Sequence, residues 1–116
     1  MEKKSLKAIL PSLRERKRYL AFKITPKGKI SDFNAVKNSI MLSAAYLIGE
    51  IGMAKANIRV LKEKFRENKG LIMVNHNYLD HLRAALALVK SIESVPVIVS
   101  SIGVSGIIKK TEKYIS

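Results

Sequence analysis

The chain has 116 residues, 22 of them lysine or arginine against nine aspartate or glutamate, so its net charge is +13; 47% of its residues are hydrophobic and none is cysteine. That length supports one domain rather than two, and that apolar share, at a mean hydropathy of +0.05, exceeds what a disordered basic tail carries. Disulfides and thiolate metal sites are excluded, no apolar stretch approaches a membrane span or follows Lys3, Lys4 and Lys7 as in a signal peptide, and a cytoplasmic location is expected.

The charge is unevenly placed. Ten basic and two acidic residues occupy the first thirty positions, a net +8 that leaves +5 for the other 86. Four of the ten, Arg14, Arg16, Lys17 and Arg18, directly precede an apolar segment. Such an excess repels itself in the free protein, which points to a polyanionic partner, nucleic acid first.

Residues 1–13 are expected to be an arm, followed by a single domain over 14–116. Residues 19–24 are rich in aromatic and aliphatic side chains and close on Thr25-Pro26-Lys27-Gly28, which predicts a first strand and a turn. From a cap at Ser31 or Asp32, apolar residues at Phe33, Val36, Ile40, Ala44, Leu47 and Ile51 recur at helical spacing, with a stop near Gly49 or Gly52. Residues 58–65 interleave charged and apolar side chains, Glu67-Asn68-Lys69-Gly70 is a turn signal, and residues 71–74 are an apolar run, together a hairpin. Tyr78, Leu79, Leu82, Ala85, Leu86 and Val89 mark a second helix, 95–99 a β-branched final strand, and 105–114 a short basic helix.

The order β-α-β-β-α-β plus a helix is the split βαβ plan, a ferredoxin-like or RRM-like α/β sandwich: an antiparallel four-stranded sheet covered by helices on one face and open on the other. The second and fourth strands are expected at the edges, in keeping with Pro96 and with Lys62, Lys64 and Arg66. The first helix also carries Ala35, Leu42, Ala45 and Tyr46 opposite its core face, and the second carries Ala84, Ala87 and Leu88. A helix apolar on two sides calls for a protein partner or a covering segment of the same chain.

Chemistry is sparse. Gly103-Val104-Ser105-Gly106 ahead of Lys109, Lys110 and Lys113 has the makings of a phosphate contact; the plainer alternative is that Ser105 caps the helix and the glycines only make a turn. It lacks the spacing of a Walker loop or a nucleophile elbow. His76, Asp80 and His81 sit near the second helix start, but a five-residue spacing suits a shared metal ion poorly, and a solvated helix start explains them better. Base stacking is poorly supplied: residues 71–74 contain no aromatic side chain, and alternation leaves only one of Tyr19 and Phe22 on the open face. Contacts to backbone phosphates of a folded nucleic acid are therefore favoured over single-strand readout.

Four blocks carry a resemblance. The run Leu10-Pro11-Ser12-Leu13-Arg14-Glu15-Arg16-Lys17-Arg18-Tyr19-Leu20-Ala21-Phe22, the segment from Gly49 to Asn57, the segment from Tyr78 to Val89 and the run Gly103-Val104-Ser105-Gly106-Ile107-Ile108-Lys109-Lys110 resemble, in order, the archaeal ribonuclease P protein component 2 family. The resemblance implies a subunit of the enzyme that removes the 5′ leader from precursor tRNA, with hydrolysis performed by the RNA subunit and its magnesium, no cofactor on the polypeptide, and pairing with protein component 3. RNA contacts then fall to Arg14, Arg16, Lys17, Arg18, Ser105, Gly106, Lys109, Lys110 and Lys113, and the protein contact to the stripe of Ala35, Leu42, Ala45 and Tyr46. Ile107, Ser100 and His76 depart from that family's usual residues. Two other classes compete: a stand-alone basic chromatin-type protein, and a small ferredoxin-like hydrolase, which would need an arginine after the first strand where Thr25-Pro26-Lys27-Gly28-Lys29 has none.

Overall fold

In a computed structural model of the chain, which describes residues 16–25 and 32–115, β1 (Lys17–Thr25) alternates buried Leu20, Phe22 and Ile24 on one face with Tyr19, Ala21 and Lys23 on the other. The expected arm, Arg14 and the turn after Thr25 lie outside the described residues. Helix α1 (Phe33–Ala56) starts at Asp32, whose carboxylate accepts from the Asn34 N–H at 2.9 Å and so satisfies one of the first unpaired donors. It buries Val36, Ile40 and Ala44.

Gly49 breaks α1. With φ 81° and ψ 170° it sits in a region open essentially only to glycine, so the helix is two rods, 33–48 and 50–56. The break redirects the second rod, and the extrapolated core stripe fails on both sides of it: Leu47 just before it is 41% and Ile51 just after it 75% exposed, while Ile48 and Met53 pack on the core instead. Since nothing lies within 4 Å of a Cβ built at Gly49, Gly49→Ala isolates the backbone cost. It is expected to destabilise by about 1–3 kcal/mol, and a fall in Tm of roughly 4–8 °C per kcal/mol measures it.

After Asn57, left-handed at φ 49°, come β2 (Arg59–Val60), a 3-10 turn over Lys62–Lys64, and β3 (Lys69–Asn75). The second strand is thus shorter than residues 58–65, because Lys62 and Lys64 enter the turn. Glu67 and Asn68 at φ 53° and 63° make the two-residue left-handed loop that matches strand twist. A 3-10 turn (His76–Tyr78) leads into α2 (Leu79–Leu88), which buries Leu82, Ala85 and Leu86. Ser43 Oγ donates to the Ala85 carbonyl at 2.5 Å, tying α1 to α2.

The last strand is relocated. Val95 and Pro96 belong to a small ribbon, β4 (Ser91–Ile92) with β5 (Val95–Pro96), turned at Glu93 and Ser94. The long partner of β1 is β6 (Ile98–Ser105), bulged opposite Ala21 and Phe22. A nine-residue central strand needs a neighbour along its whole edge, which residues 95–99 alone cannot supply. The order is β2-β3-β1-β6, all antiparallel. This is the ferredoxin-like α+β sheet, with the short β2 and the long β6 at its edges.

The second face of the sheet, expected open, is partly covered. The final helix, α3 (Ile108–Glu112), is one turn long rather than residues 105–114, and it packs on β1 and β6. Its own Thr111 and, on the sheet, Ala21 and Leu71 are fully buried, apart from the main core formed by Leu20, Phe22, Ile72, Val74 and both long helices. Lys64 and Glu112 form an ion pair that ties α3 to the 3-10 turn after β2. A Cβ on Gly103 would clash with the Tyr114 ring, so that glycine serves close packing within a strand rather than a turn. Gly103→Ala is expected to push Tyr114 away and loosen α3. Faster amide exchange over residues 108–115, with exchange in β3 unchanged, would register it.

Candidate nucleic-acid interface

Strand register determines which charges meet. The N-terminal end of β1 lies beside the C-terminal ends of β3 and β6, because Lys17 is opposite Asn75 and Tyr19 opposite both Met73 and Ser105. Arg16, Lys17 and Arg18 are therefore carried to the rim that also holds Ser105 and Gly106. The approach is close: a Cβ on Gly106 would be 3.3 Å from a guanidinium nitrogen of Arg18. That guanidinium donates to the Lys17 carbonyl at 3.0 Å, and the Arg16 carbonyl accepts from the His76 N–H at 2.7 Å.

Three further groups join this rim: Lys55 and Arg59, which carry no sequence signal, and His76, which the sequence sets beside Asp80 and His81. Asn75 donates from its side-chain amide to the Lys55 carbonyl at 3.5 Å, which brings the last turn of α1 beside Lys17. Arg59 opens β2 opposite Met73. His76 directly follows Asn75, the last residue of β3. Periodicity and motif spacing within single elements could not reveal Lys55 and Arg59, since the rim is assembled by strand register and by the redirected rod after Gly49.

The loop after β6 differs from expectation in kind. Ser105 ends the strand and does not cap the helix; its Oγ accepts from the Ile107 N–H at 3.1 Å. Ile107 stands at the helix start with no capping side chain. One helical turn carries little dipole, so what recommends Ser105 and Gly106 for phosphate is the Arg18 guanidinium beside them. Lys109 and Lys110 are exposed on α3 and Lys113 follows it.

His76, Asp80 and His81 have separate surroundings. His76 is at the rim, Asp80 lies 3.7 Å from Arg83, and the His81 ring tilts on Tyr78 at 5.3 Å. Among the described residues no cluster of three His, Asp or Glu side chains offers a metal site, and no helix is long and apolar enough to cross a membrane.

On the helical side, Leu42 and Tyr46 are 73% and 86% exposed, and Ala45 is exposed between them. Ala35 is half-buried against the core and lies apart from that patch. Ser39, Leu42, Ser43 and Tyr46 line a shallow cavity with Leu88 and Lys90.

Sheet order, two-sided cover and cationic rim together define a class, the basic ferredoxin-like α/β sandwich. Within it, the chain belongs to the Rpp14/Pop5 family, which matches residues 18–116. It is 38% identical over 111 residues to ribonuclease P protein component 2 of Methanosarcina mazei, covering 95% of this chain and 93% of that one. With the protein of the same name from Pyrococcus abyssi it shares 32% over 108 residues, covering 93% and 91%. A chain in the cryo-EM structure of yeast ribonuclease MRP superposes with a TM-score of 0.64 over 87% of this chain and 86% of that one, at 15% identity, a likeness of fold.

Proposed function

We propose that the chain is a protein subunit of ribonuclease P that grips the phosphate backbone of the enzyme's RNA with its cationic rim and leaves cleavage of precursor tRNA to that RNA. The observation that carries this reading is the junction of Arg16, Lys17 and Arg18 with Ser105 and Gly106, two segments more than eighty residues apart in sequence. Family membership supports it. Phosphate contacts position a folded RNA without reading its sequence, which suits a scaffold. Lys109, Lys110 and Lys113 extend the same charge along α3, and Arg14 precedes it in the chain. Magnesium is assigned to the RNA, and no catalytic residue to the polypeptide.

The exposed stripe of Leu42, Ala45 and Tyr46 is the surface offered to a protein partner, for which protein component 3 is the proposed occupant; a cytoplasmic location accompanies this assignment. The test is to purify the chain from its own cells and identify what stays with it. One structured RNA together with one protein, active on precursor tRNA only as the assembly, is expected. Bulk nucleic acid in their place would favour the chromatin-type reading, and cleavage by the isolated polypeptide would overturn the division of labour.

A further inference from the structure

The second face of the sheet is only partly covered by α3. Across it runs one lateral row from all four strands: Arg59 of β2, Met73 of β3, Tyr19 of β1 and Ser105 of β6, neighbours by register. Ile72 and Val60 turn into the core, so Met73 and Arg59, one residue away, face the opposite side with Tyr19. Tyr19, Met73 and Ser105 are half-buried and Arg59 is exposed. Lys17, two residues before Tyr19 and therefore on the same face, is exposed too.

We propose that Tyr19, bordered by Met73, Arg59 and Lys17, is a stacking platform for a single unpaired RNA base. The inference rests on the ribonucleoprotein reading above and adds a base to its phosphate contacts. An aromatic ring beside a polarizable thioether on a flat sheet face accepts the π-face of any base. The two flanking cations are placed for the phosphates on either side of that nucleotide. Only one base fits. In the next row, Leu71 and Ala21 are buried and Tyr114 lies on Gly103. In the row on the other side, the Asn75 side chain is engaged by the Lys55 carbonyl and the Asn77 N–H. No side chain of the row reads a base edge in a fixed direction, so the platform is indifferent to base identity.

Two RNA hairpins with the same stem, one carrying a single bulged adenosine, test this with the full chain at one fixed salt concentration. The bulged hairpin is expected to bind more tightly, by roughly five- to a hundredfold. Tyr19→Leu, which keeps apolar bulk on that sheet face, should reduce its binding to that of the paired hairpin and leave the latter unchanged. Tyr19→Phe should keep the preference. Equal binding of the two hairpins by the unaltered chain, or a preference that survives Tyr19→Leu, overturns the platform while leaving the phosphate-gripping rim intact. Failure of the chain to bind either hairpin overturns both.

Discussion

Phe22→Ala is expected to destabilise the domain by about 3–5 kcal/mol, the range for emptying a buried aromatic site. Phe22 is wholly buried, and its ring lies 6.3 Å from that of Phe65, which in turn lies 5.9 Å from Phe33. The three rings join the middle of β1, the loop before β3 and the start of α1. Gly70, opposite Phe22 in the ladder, leaves room for it: a Cβ there would be 2.9 Å from the ring. The neighbours are strands and a helix fixed from both sides, so the cavity closes poorly and the destabilisation falls at the upper end of what core truncations cost. Denaturant unfolding with an unchanged m-value measures it. An effect under about 1 kcal/mol would mean that the ring cluster does not organise this end of the core.

Neutralising Arg16, Lys17 and Arg18 together to glutamine is expected to have the largest effect on RNA affinity. Removing one phosphate-binding cation lowers the slope of log affinity against log salt by about 0.9 on duplex or about 0.7 on single strands, so removing three should lower it by roughly 2–3. The matched control is Lys23→Gln, Lys37→Gln and Lys90→Gln, which removes the same charge from exposed positions near the opposite end of the strands and helices. Its slope should stay within a few tenths of the original. Adding Lys109→Gln and Lys110→Gln to the first set should lower the slope again. Equal effects of the two triple sets would show that only net charge is sensed, and the assignment of a rim would fail.

Much of the architecture is legible in one dimension because it rests on local rules. Val36, Ile40 and Ala44 on one helix, and Leu82, Ala85 and Leu86 on the other, repeat at the helical period and are buried as that period requires. Alternation in β1 separates Leu20 and Phe22 from Tyr19 in the same way. Where sequence and structure part, distant segments compete. Residues 95–99 have the β-branched composition of a strand, yet the edge of β1 selects 98–105. Gly103 has the composition of a turn, yet it lies in a ladder with a tyrosine ring against it. Neither the path of the chain after Gly49 nor the cover supplied by α3 has a local signature.

The same division runs through the candidate site. The basic run at 14–18 is a compositional fact, and so is its company of Lys109 and Lys110. Helical projection groups Ala35 with Leu42, Ala45 and Tyr46, but projection knows nothing of the neighbouring elements, and Ala35 is half-buried.

By itself, the amino-acid order determined the charge, the element types, the strand sequence of a split βαβ sheet and the family resemblance, because each follows from side chains close together along the chain. Tertiary structure alone decided that Arg18 meets Gly106, that Lys55 and Arg59 join them, and that a one-turn helix covers part of the second sheet face while Tyr19 stays half-exposed. Those outcomes depend on register, on one glycine with a positive φ and on which distant strand wins an edge, energies set by pairing between segments far apart in sequence.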